Sequence, residues 1–179
     1  MIRKFSLAPN IVEGLKFLED CYKKPPSPVE TKEYLQITSE RSLKNLLKNP
    51  PLDVCEVSRI DHISVTNKNQ SSLSALLSSI YPKCSILMSG HFFYPKNGYM
   101  SWHTNNKAPG LRVYFSYTEH ANSSFFTYKD GDKIVKDPDW EGWTGREFRI
   151  SKEGPPLWHA IYAEKPRISI GFRVINNLL

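Results

Sequence analysis

Two of the five histidines stand where their imidazole rings could act together. His103 ends the segment GYMSWH and is followed by a segment rich in turn-forming residues. His159 lies 56 residues further along the chain, in LWHAIYA, and Arg167 follows it by eight residues. Two imidazoles that meet at strand ends can bind a divalent transition metal and leave coordination positions open for a ligand and for O2. Either histidine alone would more often be structural, so the interpretation as a metal site also depends on the presence of Arg167.

The elements that must position these residues are short β-strands. From Cys84 onward, eight segments are rich in β-branched and aromatic residues, and Gly, Pro, Asn and Asp separate them. The sequence Lys129-Asp130-Gly131-Asp132 is typical of a hairpin turn. Such a series predicts an antiparallel jelly roll, whose open mouth can bring two strand ends together. The predicted strands are CSILMSGHFFY, GYMSWH, GLRVYFSYTE, SSFFTYK, KIVKD, TGREFRI, LWHAIYA and RISIGFRV.

Three segments of the first half have the apolar spacing of amphipathic helices. We expect Asn10 to cap the first helix. The second helix should begin at Thr38 or Ser39, and the third should begin near Ser71 or Ser72. A proline-rich stretch, KKPPSPVE, predicts a turn-rich connector between the first helix and the second.

This pattern predicts one domain over 1–179. The expected organisation is a helical buttress at 1–81 and a jelly-roll core at 84–174. The predicted fold class is α+β or mainly β, a double-stranded β-helix (jelly roll) with the N-terminal helices packed outside.

Composition and charge narrow the classes of function. The chain of 179 residues is 40% hydrophobic and 23% charged, which is typical of a globular protein. Its net charge of +6 is spread over both halves without a polybasic run, so nucleic-acid binding is permitted but not favoured. No apolar run has the length of a membrane helix, and no signal peptide is evident. Three widely spaced cysteines without a C-x-x-C motif predict free thiols and a cytoplasmic protein.

Motifs around the two histidines resemble a known family. Tyr94-Pro95 with Gly98 precedes His103, and Arg167-Ile168-Ser169 follows His159. The order and spacing of these motifs resemble the catalytic core of the 2-oxoglutarate/Fe(II)-dependent oxygenases, in particular their prolyl-hydroxylase-like and demethylase-like branches. The resemblance runs from about residue 86 to residue 174, which is half of the chain.

The resemblance implies a role for each matching residue. His103 and His159 would be the two imidazole ligands of Fe(II). Arg167 would pair with the distal carboxylate of 2-oxoglutarate, since a guanidinium meets a carboxylate through two parallel hydrogen bonds. Tyr94 and Ser169 would add hydroxyl groups to the same co-substrate. O2 would complete the set of reactants, and no catalytic side chain is expected beyond the metal ligands.

Asn105 departs from the family pattern. The third ligand of the family is usually an Asp or Glu two residues after the first histidine, and here that residue is Asn105. Asn105 is a neutral third ligand, or water or halide takes the position, or the site has lost its metal chemistry. The first interpretation is favoured because Asn has an oxygen to offer, and we expect that oxygen to point at the metal. Glu119 is the nearest downstream carboxylate, but its spacing gives no reason to choose it.

Other residues near these motifs carry weaker expectations. Arg112 alternates with apolar neighbours and is expected on an exposed sheet surface rather than at the barrel mouth. Tyr114 and Tyr117 have opposite parity along a strand, so one of them is expected to line a pocket. Trp102 and Trp158 immediately precede the two histidines, so they should face the opposite way and pack in a core.

Three hypotheses for function follow. The first is an Fe(II)- and 2-oxoglutarate-dependent oxygenase that hydroxylates an unidentified substrate and releases succinate and CO2. The second is a non-catalytic jelly-roll protein of the same descent that binds a metal or another ligand. The third is a nucleic-acid protein, which the spread of the charge does not favour. The expected partners are a small-molecule co-substrate and a substrate that the sequence does not identify, with no membrane.

Overall fold

The predicted strands are all present. A computed structural model of the protein describes residues 2–23, 30–48 and 57–177. The strands are β1 (Arg3–Phe5), β2 (Ser58–Arg59), β3 (Asp61–His62), β4 (Cys84–Tyr94), β5 (Gly98–His103), β6 (Gly110–Thr118), β7 (Ser124–Asp130), β8 (Lys133–Pro138), β9 (Gly142–Ile150), β10 (His159–Ala163) and β11 (Arg167–Asn176). The helices are α1 (Pro9–Tyr22), α2 (Tyr34–Ile37), α3 (Glu40–Lys48) and α4 (Asn67–Ile80).

The strands form two antiparallel sheets that face each other. The larger sheet has the strand order β1-β9-β6-β11-β4-β3, and the smaller sheet has the order β2-β5-β10-β7-β8. Consecutive strands of the chain alternate between the two sheets along much of β4 to β11, as they do in a jelly roll. The jelly-roll prediction is therefore confirmed. The predicted hairpin turn joins β7 to β8, with Gly131 in the left-handed region.

Helices α1 and α4 cover the outer face of the larger sheet. The buried positions of α1 recur with helical spacing, so its apolar face is continuous. The alternate residues Ile168, Ile170 and Phe172 of β11 are fully buried against this helical layer. Strand β11 thus gives one apolar face to the helices and leaves its other face for the interior of the jelly roll.

The outer face of the smaller sheet packs against α2 and α3. Trp102 and Trp158 are buried there beside Leu43 of α3. Tyr34 of α2 stacks on Tyr162 of β10, with 5.0 Å between ring centroids. The expectation that the two tryptophans face away from the histidines and pack in a core is confirmed.

Helix boundaries in the first half differ from the sequence prediction in two places. Helix α1 begins at Pro9, and Ala8 rather than Asn10 is its N-cap. Proline suits this first position because its missing N–H needs no partner there. Helix α4 begins at Asn67, several residues before the expected serines, because the Thr66 side chain accepts a hydrogen bond from the Asn69 N–H. For α3 the prediction is confirmed, since the Ser39 hydroxyl accepts from the Ser42 N–H.

The first 81 residues also contribute to the sheets. Strand β1 pairs with β9, β2 pairs with β5, and β3 pairs with β4. These strands are two or three residues long, too short to show a period-2 pattern, and the short helix α2 was missed for the same reason. The N-terminal segment is therefore a helical layer that also supplies strands at sheet edges.

Some expectations fall on residues outside those described. Residues 24–29 of the proline-rich connector and Cys55 are among them. The two described cysteines, Cys21 and Cys84, are free thiols, as predicted. None of the described helices combines the length and apolar character needed to cross a membrane.

Candidate functional site

Strands β5 and β10 place the two histidines side by side. His103 is the last residue of β5, His159 is the first residue of β10, and the two are directly opposite in the antiparallel pairing. Their ring centroids are 4.1 Å apart. Both side chains are buried and project between the sheets, because Trp102 and Trp158, one position earlier, occupy the outer face.

Each imidazole is oriented by its own strand. The Nδ1 of His103 lies 2.7 Å from the Ser101 carbonyl oxygen, and the Nδ1 of His159 lies 3.0 Å from the Leu157 carbonyl oxygen. A carbonyl can only accept, so each Nδ1 carries the hydrogen and each Nε2 is the unprotonated ring nitrogen. This is the tautomer that a metal-binding imidazole needs, with the other ring nitrogen donating to a backbone carbonyl.

The surroundings of His159 keep its ring neutral. The ring stacks on Phe126, with 5.2 Å between centroids, and meets Phe148 edge-on. Burial lowers the pKa of His159 well below 6.5, and the nearby His103 and Arg112 lower it further. A neutral imidazole is the form that binds metals.

Asn105 completes a group of three polar side chains. Its amide nitrogen lies 3.2 Å from the Nε2 of His159. The backbone of Asn105 is left-handed, with φ of 59°, a conformation that Asn adopts more readily than most residues. The amide group therefore lies at the Nε2 that a metal would use, with its nitrogen rather than its oxygen toward that atom. Among the described residues, no cluster of three His, Cys, Asp or Glu side chains is present, so a carboxylate does not replace it.

A cavity of about 210 Å³ opens from this group along the inner face of β11. The alternate residues Arg167, Ser169 and Gly171 of β11 line it, together with His103 and Asn105. Tyr94 of β4 and Tyr114 of β6 form further parts of its wall. A side chain at Gly171 would collide with the Tyr114 ring, since a Cβ there would lie 2.7 Å from it, so the glycine admits the tyrosine to the cavity.

Arg167 is buried at one end of this cavity. Its Nε donates to Asp139 at 2.8 Å, and its guanidinium lies over the Tyr94 ring, 4.9 Å from the centroid. One terminal nitrogen, Nη1, is buried and has no hydrogen-bond partner among the described residues. A buried donor without a partner costs about 1–3 kcal/mol, which a bound acceptor would recover. The arginine is thus fixed on one edge and available on another.

A buried ionic network fixes Arg167. Asp139 is fully buried and also accepts hydrogen bonds from Arg146, Ser116 and Ser124. Burial raises the pKa of the Asp139 carboxyl, but Arg167 and Arg146 outweigh that effect and hold it below its usual range.

The charges of this network do not cancel. Arg146 also pairs with Asp137 at 2.7 Å, and Lys4 pairs with the same aspartate at 3.1 Å. The network contains three cations (Lys4, Arg146, Arg167) and two carboxylates, so one positive charge remains. One further anionic group would neutralise it.

Asp139 and Arg146 were not singled out from the sequence. The signal for Arg146 was available in TGREFRI, where it shares strand parity with the apolar Phe148 and Ile150 and so faces the interior. A buried arginine needs a carboxylate partner, but the sequence does not say which one.

Two expectations about β6 are resolved. Arg112 is not on an exposed surface; it is buried, and its guanidinium donates to the Ala108 carbonyl oxygen. The adjacent Val113 packs in the core that faces the helices, so the Arg112 side chain lies on the opposite, interior face of the larger sheet, where it lines a cavity. Of the two tyrosines, Tyr114 lines the cavity, whereas Tyr117 packs outside against Tyr22 and Trp143.

Glu119 is not part of the histidine group. It is exposed beyond the end of β6, where its backbone N–H donates to the Tyr22 hydroxyl.

The six residues predicted for the site separate into two groups that share one region. His103, His159 and Asn105 lie together, and Tyr94, Arg167 and Ser169 line the same cavity. Their roles toward a metal and a co-substrate stay predictions.

Comparisons with known proteins agree with the jelly-roll fold. No protein-family model matches the sequence, and no curated protein matches it. Among solved structures, the chain is similar to a prolyl hydroxylase from Trichoplax adhaerens in complex with a hypoxia inducible factor oxygen degradation domain peptide fragment. That similarity has a TM-score of 0.55 at 12% identity and covers 98% of this chain and 83% of that one.

A second similar structure is an oxidoreductase of the 2OG-Fe(II) oxygenase family from Burkholderia pseudomallei. Its TM-score is 0.44 at 7% identity, with 76% of this chain and 78% of that one covered. The TM-score of 0.55 to the prolyl hydroxylase shows that the chain shares the fold of that protein. At the level of fold, this confirms the resemblance seen in the sequence.

Proposed function

We propose that the protein is an Fe(II)- and 2-oxoglutarate-dependent oxygenase. The observation that carries the proposal is the pairing of two features in one cavity. Two adjacent imidazoles, of which His103 lines the cavity, have unprotonated Nε2 atoms. A buried arginine in the same cavity has an Nη1 without a hydrogen-bond partner among the described residues. The first feature fits a divalent transition metal, and the second fits the far carboxylate of a short diacid.

The chain's own residues bind and orient the reactants. His103 and His159 would hold Fe(II), and Arg167 would hold 2-oxoglutarate with help from Tyr94 and Ser169. Bound together with O2, the metal and co-substrate supply the oxidising chemistry that hydroxylates a C–H bond and releases succinate and CO2. Phe126 and Phe148 beside His159 exclude water from the metal side of the cavity.

The buried network gives Arg167 a fixed position. Asp139 holds its Nε, so the remaining guanidinium edge faces the cavity with little freedom to lose on binding. The single uncompensated positive charge of the network favours a ligand group with one negative charge, such as the far carboxylate of 2-oxoglutarate.

Asn105 would be a neutral third ligand. Turning its side-chain amide by half a rotation exchanges nitrogen for oxygen at the Nε2 of His159, and this change needs no backbone movement. A neutral oxygen binds Fe(II) more weakly than a carboxylate, so we expect the metal to bind more tightly with 2-oxoglutarate than without it.

The second candidate is a non-catalytic jelly-roll protein. The absence of a carboxylate ligand beside the two histidines, among the described residues, favours it. The unpartnered nitrogen of Arg167 argues for a bound anion in either case. The two candidates differ in whether metal and 2-oxoglutarate form one complex.

The test is anaerobic addition of Fe(II) and 2-oxoglutarate to metal-free protein. The oxygenase proposal expects a visible charge-transfer band that needs both components, and its absence would favour the binding protein. His159→Gln should abolish the band. The matched control is His120→Gln, since His120 is exposed and only its backbone is hydrogen-bonded.

A further inference from the structure

A second cavity adjoins the first and has a different character. It has a volume of about 280 Å³ and shares Ser89, Asn105 and Tyr114 with the first cavity. Its remaining wall contains two arginines, Arg112 and Arg173. Because Asn105 belongs to both cavities, a molecule in the second one would lie directly beside the proposed metal position.

The two arginines are neighbours on the sheet. Arg112 of β6 and Arg173 of β11 are directly opposite in the antiparallel pairing. Residues so paired have Cβ atoms about 5 Å apart, and like charges at such positions destabilise a sheet. Arg112 is buried, so this pair places positive charge in the wall of the second cavity.

Arg173 forms no ion pair within the part of the chain that the structure describes. Its Nε is buried and has no hydrogen-bond partner there. The Arg173 side chain lies over Gly110. A Cβ added at Gly110 would be 3.6 Å from the Cγ and 3.7 Å from the Nε of Arg173. A buried guanidinium donor with no partner indicates that the partner is a ligand.

One 2-oxoglutarate molecule cannot bind both Arg167 and Arg173. Arg167 and Arg173 are six residues apart on β11, which is about 20 Å along an extended strand. A five-carbon diacid that reaches from Arg167 to the histidines cannot extend to Arg173 as well. An anion that binds Arg173 must therefore belong to a different molecule.

We propose that Arg112 and Arg173 bind an oxyanion, a carboxylate or a phosphate, of the primary substrate. This inference rests on the proposed oxygenase function and gives it a substrate class: an acidic molecule whose reactive carbon lies near Asn105. An arginine pair suits this task because each planar guanidinium offers two parallel donors to an oxyanion.

The test uses the full chain labelled with ¹⁵N-arginine, loaded with 2-oxoglutarate and with Zn²⁺ as a diamagnetic substitute for Fe(II). The Nε–H signals of Arg112 and Arg173 are assigned from the spectra of Arg112→Gln and Arg173→Gln. Acetate, its neutral counterpart acetamide, and inorganic phosphate are then titrated separately. The exposed Arg41 on α3 is the internal control, because its signal should not move.

We expect saturable shifts of both signals with acetate or with phosphate, and none with acetamide. The stronger of the two anions identifies the oxyanion. Arg173→Gln should weaken anion binding, read at Arg112, by roughly tenfold. Equal responses to acetate and acetamide, or no response to either anion, would overturn the inference.

Two capped tripeptides separate a free acid from an acidic polymer. Acetyl-Gly-Asp-Gly-amide binding more tightly than acetate, with its Asn counterpart inactive, assigns the site to an acidic peptide; the reverse order assigns it to a small acid. If the Fe(II)/2-oxoglutarate band forms but neither arginine responds, only the substrate inference fails. If the arginines respond but the band never forms, the oxygenase proposal fails and an anion site remains.

Discussion

Arg167 and Arg173 lie six residues apart on the same face of β11, and their surroundings differ. Arg167 is buried, and Asp139 holds its Nε at 2.8 Å. Arg173 is half-buried and belongs to none of the ion pairs among the described residues. Its cross-strand neighbour is another arginine, Arg112, rather than a carboxylate.

These different surroundings predict that the two arginines bind an anion in different ways. Around Arg167 the protein provides part of the counter-charge, so the guanidinium is positioned before any ligand arrives. Around Arg173 two cations adjoin each other, so the site is less stable without a ligand and gains more from one. We therefore expect substitutions around Arg167 to destabilise the fold, and we expect substitutions around Arg173 not to do so.

The largest effect is expected for Asp139→Asn. Removing the carboxylate leaves Arg146 and Arg167 buried with less compensation, and breaking a buried ion pair costs about 3–5 kcal/mol. The free energy of unfolding, measured by urea denaturation, should fall by that amount. A loss under about 1 kcal/mol would mean that Asp139 does not hold the network together.

The same carboxylate predicts a pH dependence. Its pKa is lower in the folded protein than the ordinary 3.8, so its contribution is complete above that pH and is lost as the pH falls below it. Urea midpoints should show this acid-induced loss in the wild-type protein. In Asp139→Asn the slope should be smaller, and an unchanged slope would assign it to other carboxyl groups.

Arg167→Lys should weaken 2-oxoglutarate binding while keeping the charge. Lysine cannot make two parallel hydrogen bonds to a carboxylate, and the lost charged hydrogen bond predicts a dissociation constant roughly tenfold to a hundredfold higher. Calorimetric titration of the metal-loaded protein measures it. Arg41→Lys on exposed α3 is the matched control. Normal binding by Arg167→Lys would remove Arg167 from the co-substrate site.

Asn105 lines both the cavity that contains Arg167 and the cavity that contains Arg173. We expect its substitution to have an effect of intermediate size. Asn105→Asp restores an anionic oxygen, so Fe(II) affinity without 2-oxoglutarate should rise by roughly tenfold. Asn105→Gly removes the side chain without straining the left-handed backbone and should lower that affinity. If all three forms bind Fe(II) equally, with and without co-substrate, Asn105 is not a ligand.

The smallest effect is expected for Arg173→Gln. Relief of the like-charge pair with Arg112 should raise the free energy of unfolding by about 0.2–1 kcal/mol at low salt. The gain should shrink in 0.5 M salt, because partly exposed charges are screened. A loss of stability at low salt would show that Arg173 has an internal partner and would end the contrast with Arg167.

The sequence was most informative where side chains repeat with a regular period. The eight strands after Cys84 and the paired positions of His103 and His159 follow from alternation, strand ends and turn residues. Strands of two or three residues, such as β1, have no period to detect. The start of α4 depended on one side-chain hydrogen bond, from the Asn69 N–H to Thr66.

Long-range partners were beyond the sequence for a different reason. Asp139 meets Arg167 across 28 residues and Arg146 across seven, and a carboxylate in a loop gives no sign of which cation it will meet. Arg112 was placed on the surface because its alternation with apolar residues suits either face of a sheet. Both faces of the larger sheet are covered at β6: Val113 packs toward the helices, and Arg112 lines a cavity on the interior face.

Locating the metal tests whether His103 and His159 are its ligands. Crystals grown anaerobically with Fe(II) and 2-oxoglutarate should give one strong anomalous peak at the iron absorption edge. We expect this peak about 2.1 Å from the Nε2 atoms of both His103 and His159, with the far carboxylate of 2-oxoglutarate against Arg167. A peak away from these two histidines, or no ordered iron beside bound 2-oxoglutarate, would rule out the metal site.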